Sequence, residues 1–259
     1  MVRWHSLFLS PNNEVDAPSA LLPVLQAEGY EVYDPFGSFG GHAYTETVRL
    51  FIAPYETGAP WQRILLEVTQ PDTAEFIAQI LSKSGLCISA WLEKEIGDLR
   101  LYQDGQPANE AALTPYQTKT PPTGYVEDKH AKVGDLAVSD MPEKIQELAN
   151  QVKPKQAEKL FNKMTRRVFG NPDADAARAL LQDAPDWHSE PGQRISSIMA
   201  SLGLSAWREP DFATLRAAYT LHARLKRRPN ATLLPGDDTA LNAVPNALDY
   251  TPFYMGKAT

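Results

Sequence analysis

The sequence predicts an α+β protein built in two parts, and three observations carry that expectation. Short β-like runs alternate with two amphipathic segments over the first hundred residues, the apolar period changes to 3.6 after Pro142, and hydrophobic residues make up 43% of the chain against 22% charged. That balance belongs to a globular protein with enough apolar surface for a sizeable core, and 259 residues exceed the usual single-domain length of about 100–200. The expected organisation is an α+β sandwich over 1–113, a linker or crossover over 114–141, a helical domain over 142–228 and an irregular C-terminal strap over 229–259.

The first part opens with a strand from Trp4 to Leu9. Asp16 and Pro18 then start a helix that carries Leu21, Leu22, Val24 and Leu25 on one stripe and stops at Gly29. Tyr30 to Tyr33 and Thr47 to Ala53 read as two more strands. The same order recurs as a strand from Trp61 to Thr69, a helix from Thr73 to Lys83, and strands over Leu86 to Leu92 and Leu99 to Gln103. Asp72 and Glu75 have the spacing of a capping box, in which each side chain satisfies a free backbone donor of the first turn.

Laid on one another at an offset of 56, Leu21 meets Ile77, Val24 meets Ile80, Leu25 meets Leu81, Gly29 meets Gly85 and Val32 meets Ile88. At an offset of 51, Val48, Arg49, Leu50 and Phe51 meet Leu99, Arg100, Leu101 and Tyr102. The match suggests an internal duplication of a βαββ unit, although burial alone imposes similar apolar spacing on any two such units. The order βαββ-βαββ resembles ferredoxin-like α+β sandwiches, an architecture that carries no function by itself. Two helices with one apolar stripe each are expected to cover one face of the sheet.

From Leu113 the pattern gives way to Thr114, Pro115, Thr120, Pro121, Pro122, Thr123 and Gly124, the composition of a connection. Helical stripes follow: Ile145, Leu148, Ala149 and Val152; Ala157, Leu160, Phe161, Met164 and Val168; a helix opened by Asn171 and Pro172 with Ala177, Leu180 and Leu181; Ile195, Ile198, Met199 and Leu202; and a helix from Asp211 to about Arg228. The expected bundle core includes Leu160, Phe161, Met164, Ile198, Leu202, Leu215 and Tyr219. Residues 229–259 show no period, yet Leu233, Leu234, Leu241, Val244, Leu248, Tyr250, Phe253, Tyr254 and Met255 make them too apolar for a disordered tail. They are expected to lie along the body, with Tyr250, Phe253 and Tyr254 docked through their rings.

Charge and composition narrow the function classes. The net charge of −7 divides into −8 over 1–125, +3 over 126–228 and −2 over 229–259. No apolar run approaches the roughly 18–20 residues that cross a bilayer, and Leu7 to Leu9 is too short for the core of a signal peptide. Cys87 is the only cysteine, which excludes an intramolecular disulfide and fits a reducing cytoplasm. The histidines at 5, 42, 130, 188 and 222 form no local pair, and no phosphate loop, serine elbow, HExxH helix or paired CxxC occurs. No motif therefore calls for a metal or an organic cofactor.

Two local features stand out. The glycine-rich loop Phe36 to His42 brings Tyr33, Phe36, Phe39, His42 and Tyr44 together as stacking faces around a backbone that a ligand can approach closely; the alternative is a plain strand connection. Lys155, Lys159, Lys163, Arg166 and Arg167 share one helix side, and Arg216, Arg224, Arg227 and Arg228 gather on another. Such faces suit phosphates or an acidic partner, whereas a solvated face needs no partner, and a pI near 5.3 argues against nucleic acid. His222 and Cys87 are expected as core residues, Asp173 and Asp175 as helix-capping acids, and Asp237 and Asp238 in a turn. The first expectation is a non-catalytic cytoplasmic binding or adaptor protein that engages a protein partner. A small-molecule binder or enzyme with a site near the Gly37 to Tyr44 loop is the second, and nucleic-acid binding through the basic faces is the third.

Overall fold

Alternation along each strand, with both alternating sets apolar, decides the architecture. Leu7 and Leu9 of strand β1 (Trp4–Pro11) point to one side, while Trp4 and Phe8 point to the other, and both sets are buried. A sheet built from such strands must be covered on both faces. The computed structural model describes residues 3–11, 16–36, 44–55, 59–118, 184–204, 207–234 and 236–258, and in it an eight-stranded sheet is covered in this way by helices.

The other strands are β2 (Glu31–Val32), β3 (Glu46–Ile52), β4 (Gln62–Val68), β5 (Gly85–Glu93), β6 (Ile96–Gln103), β7 (Gln106–Ala108) and β8 (Thr251–Lys257). They lie in the order β2-β8-β3-β4-β1-β5-β6-β7, with every neighbouring pair antiparallel. Asp104 and Gly105 link β6 to β7 with φ of 52° and 77°; a two-residue hairpin whose residues both need positive φ explains the Asp-Gly pair.

Helices α1 (Ala17–Ala27) and α2 (Pro71–Leu81) cover one face together, as their single stripes predict. Leu21, Leu25, Ile77 and Leu81 meet Leu7, Leu9, Val48, Leu50, Ile64 and Leu66 there. Asp16 caps α1 as expected, accepting from the Ser19 amide. The capping box at Asp72 does not form: α2 begins two residues earlier, with Gln70 as its N-cap and Pro71 at its first position, and Glu75 is drawn instead to Arg100.

Helices α3 (Glu190–Ser201), α4 (Phe212–Arg227) and α5 (Asp237–Ala243) follow. Ile195, Met199 and Leu202 are buried with Trp4, Phe8, Trp61 and Ile88 on the second face of the sheet, beside the 3₁₀ segment Glu110–Tyr116. Phe212, Leu215 and Ala218 of α4 are buried with Phe51, Leu65 and Tyr254 on the same face. Ile198 and Tyr219, expected in a core, are only partly buried against it. Leu160, Phe161 and Met164 lie outside the described residues, as do Asp173 and Asp175. Asp237 and Asp238, expected in a turn, open α5.

The suggested duplication does not share a register with the sheet. It pairs Val32 with Ile88, but Val32 is in the edge strand β2 while Ile88 is in β5, directly beside β1.

The segment expected as an irregular strap differs most from its reading. Its residues 251–257 form β8, which enters the sheet between β2 and β3 and pairs with β3 from Glu46 to Ile52. Prolines hide this strand in the sequence. Tyr254 accepts a backbone hydrogen bond from Tyr33, so Tyr254 and, two residues back, Pro252 turn their backbone groups toward the β2 side. There β2 has already ended, and the missing N–H of Pro252 breaks no ladder bond.

Ending the chain after Asn246 therefore removes a whole neighbour of β3 together with buried Phe253, Tyr254 and Met255, each contributing about 1.5–3 kcal/mol. The expected result is loss of cooperative thermal unfolding or a fall in Tm of about 10 °C or more, with new protease cleavage. An unchanged Tm and digestion pattern would refute the structural role of β8.

Candidate functional site

Strand pleating brings part of the predicted aromatic site together on the second face of the sheet. Tyr33 follows β2, Tyr44 precedes β3, and their rings lie 4.9 Å apart. Phe36 packs on Tyr219 of α4 at 4.9 Å and on Tyr254 of β8 at 5.5 Å. Gly256 makes room for this arrangement, because a Cβ there would run into the Tyr44 ring. Phe39 and His42 lie outside the described residues.

Polar groups join these rings, and the loop composition gives no sign of them. Arg49 of β3 donates to the Tyr33 hydroxyl at 2.9 Å and pairs with Glu67 of β4 at 2.5 Å. Tyr44, Thr45, Thr47, Arg49, Glu67 and Thr69 line a shallow cleft of about 310 Å³. Beside it the Tyr254 hydroxyl is buried without a hydrogen-bond partner among the described residues, and burial raises its pKa.

A second cleft, of about 520 Å³, follows the outer edge of β6 and β7. Leu99, Leu101, Tyr102, Pro107 and Ala108 supply its apolar walls. Two ion pairs flank it: Arg100 with Glu75, and Arg194 with Glu110 at 2.8 Å. The cleft exists because β7 pairs only with Leu101 to Gln103, leaving the outer side of β6 from Ile96 to Arg100 without a neighbouring strand among the described residues. Asp98 accepts from the Leu99 amide at 2.8 Å, which blunts that stretch against unspecific strand pairing.

Burial sets the titration of two residues of the core. Cys87 is buried, and burial pushes its thiol up to about 12. His5 shares a 3.3 Å hydrogen bond between its Nε2 and Ser89 Oγ, and burial, then the charge of Arg3, push it down to about 3. His222 is partly buried, and its Nε2 has no partner among the described residues. Among those residues no group of three His, Cys, Asp or Glu is placed to hold a metal ion, and no helix is long and apolar enough to cross a membrane.

The basic residues predicted as a surface divide. Lys155, Lys159, Lys163, Arg166 and Arg167 lie outside the described residues. Arg224 pairs with Asp237 at 2.7 Å, Arg227 donates to the carbonyls of Ala223 and Phe36, and Arg228 is exposed.

Two measurements check these assignments. The unfolded chain protonates His5 near pH 6.5 and the folded chain only near 3, so His5 leaves stability unchanged above pH 6.5. As pH falls from 6.5 toward 3 it lowers stability by up to about 1.4 kcal/mol per unit. Denaturation of wild type and His5→Asn across that range is expected to show the steeper fall in wild type, and parallel profiles would refute the buried neutral imidazole. Tyr254→Phe removes an unsatisfied hydroxyl and is expected to be neutral or stabilising by about 1 kcal/mol; a loss of that size would show that the hydroxyl has a partner. Compared with known proteins, the chain matches no protein family, no curated protein and no solved structure, so a reading of its function rests on the geometry of these clefts.

Proposed function

We propose that this is a non-catalytic binding or adaptor protein that takes a segment of a protein partner into the cleft at the β6–β7 edge. The supporting observation is the make-up of that cleft, in which Leu99, Leu101, Pro107 and Ala108 lie between the Arg100–Glu75 and Arg194–Glu110 pairs. An apolar centre with a polar rim of both signs is the anatomy of a protein interface, and about 520 Å³ accommodates anchoring side chains. The buried thiol of Cys87 and the neutral imidazole of His5 favour binding over group transfer. A free cysteine fits a reducing compartment, and we place the protein in the cytoplasm. The central order β3-β4-β1-β5, with α1 between β1 and β3 and α2 between β4 and β5, supports reading the scaffold as ferredoxin-like.

A second reading is a small-molecule site at the cleft lined by Tyr44, Thr47 and Arg49, favoured by the nearby Tyr254 hydroxyl, which is buried without a hydrogen-bond partner among the described residues. Affinity purification from native lysate with wild type and Ala108→Arg separates the two. A stoichiometric protein held by wild type and lost by at least tenfold in Ala108→Arg is the expected result. Equal recovery with both chains, or no stoichiometric protein with either, would overturn the partner reading.

A further inference from the structure

A third pocket, of about 330 Å³, lies on the α1/α2 face where the sheet continues past the start of α2. Its origin is visible in the register. Beneath the helix the strands offer Leu7, Leu9, Cys87 and Tyr102, all in the core. Further along the same rows they offer His5, Ser89 and Arg100, with Ser89 opposite Leu7 on one side and Arg100 on the other. Polar residues at inward positions near the centre of a sheet are costly unless something engages them.

Their engagement inside the protein is incomplete. His5 and Ser89 share one long hydrogen bond, whereas a neutral imidazole and a hydroxyl together offer two donors and several acceptor sites. Arg3 lies over the Trp91 ring, 4.1 Å from its centre, and its Nε is buried without a hydrogen-bond partner among the described residues. Glu93 acts on Arg3 only through its field, and burial outweighs it, lowering the Arg3 pKa. Arg100, on the far wall, is committed to Glu75 and to Asp98 at 2.7 Å. Among the described residues, no carboxylate therefore holds Arg3 by a hydrogen bond.

The charge balance selects the ligand. One guanidinium without a hydrogen-bonded acid among the described residues, beside the Ser89 hydroxyl and a neutral imidazole, suits a single negative charge. Glu75 and Glu93 in the walls oppose a second one. Trp91, Pro71 and Ala74 give the body of the ligand apolar contacts. We propose that this pocket binds a small organic monocarboxylate, with its carboxylate on the Arg3 guanidinium and the Ser89 hydroxyl.

The full chain, labelled with ¹⁵N, is titrated with acetate, propionate, benzoate and inorganic phosphate while the backbone amides are followed. At least one carboxylate is expected to shift the amides of Ala74, Ser89 and Trp91 saturably, and phosphate is not. Arg3→Gln is expected to weaken binding about tenfold or more, and Ser89→Ala by about ten- to a hundredfold, the range for a hydrogen bond to a charged group. Saturation by phosphate at the same amides would overturn the single-charge assignment. Absence of saturation by all three carboxylates, or undiminished binding in an Arg3→Gln chain with an otherwise native spectrum, would overturn the site. If Arg3→Gln does not fold, Arg3→Lys decides by the same criterion, because it keeps the charge and loses the guanidinium fork.

Discussion

The second layer of helices depends on how Arg63 is held at the centre of the sheet. Arg63 belongs to β4, and its guanidinium donates to Ser6 Oγ of β1 and to the carbonyls of Arg208 and Glu209 between α3 and α4. Burial pulls its pKa down to about 10, against the opposing fields of Tyr250, Glu209 and Asp211. Around this anchor Trp4, Trp187 and Trp207 meet edge to face at 5.0–5.4 Å, and Arg208 lies over two of the rings. The Trp4 indole also donates to the Arg208 carbonyl at 3.0 Å. The carbonyls of this connection are thereby tied to strands near the middle of the sheet.

Local order was legible in the sequence; long-range placement was legible only for α1 and α2, which share one face of the sheet as their stripes imply. Apolar spacing located β1, β4, β5, both early helices and α4 to within a few residues, because burial on one side or both leaves a periodic mark. It could not reveal that α3 and α4 would lie on the sheet, since a helix stripe looks the same whether it meets another helix or a strand. Pro252 made β8 look irregular, and only its neighbours in space explain why proline is tolerated there.

The candidate sites divide in the same way. Tyr33, Phe36 and Tyr44 stood out because glycines and aromatic residues are concentrated in one short stretch, and they do converge. Arg49, Glu67 and Tyr254 join them through pairing across β3, β4 and β8, which no local pattern encodes. The pocket around Arg3, His5 and Ser89 left one faint signal, the histidine at position 5, which shares its face of β1 with Leu7 and Leu9. Arg100 and Glu75 line both this pocket and the cleft at the β6 edge, so one exposed ion pair is the wall between two spaces of different chemistry.

The position of β8 also bears on how the chain is made. Its partner β3 leaves the ribosome long before β8, because the Thr45–Lys257 contact that closes this part of the sheet spans 212 residues. Until translation reaches β8, β3 has a bare edge that includes Leu50, Phe51 and Ile52, the kind of surface on which nascent chains pair wrongly with one another. Domain-by-domain maturation during synthesis is closed to a sheet wired in this way. Its completion waits for the synthesis of β8, and holdase chaperones that cover apolar strand edges are the natural guardians of the interval.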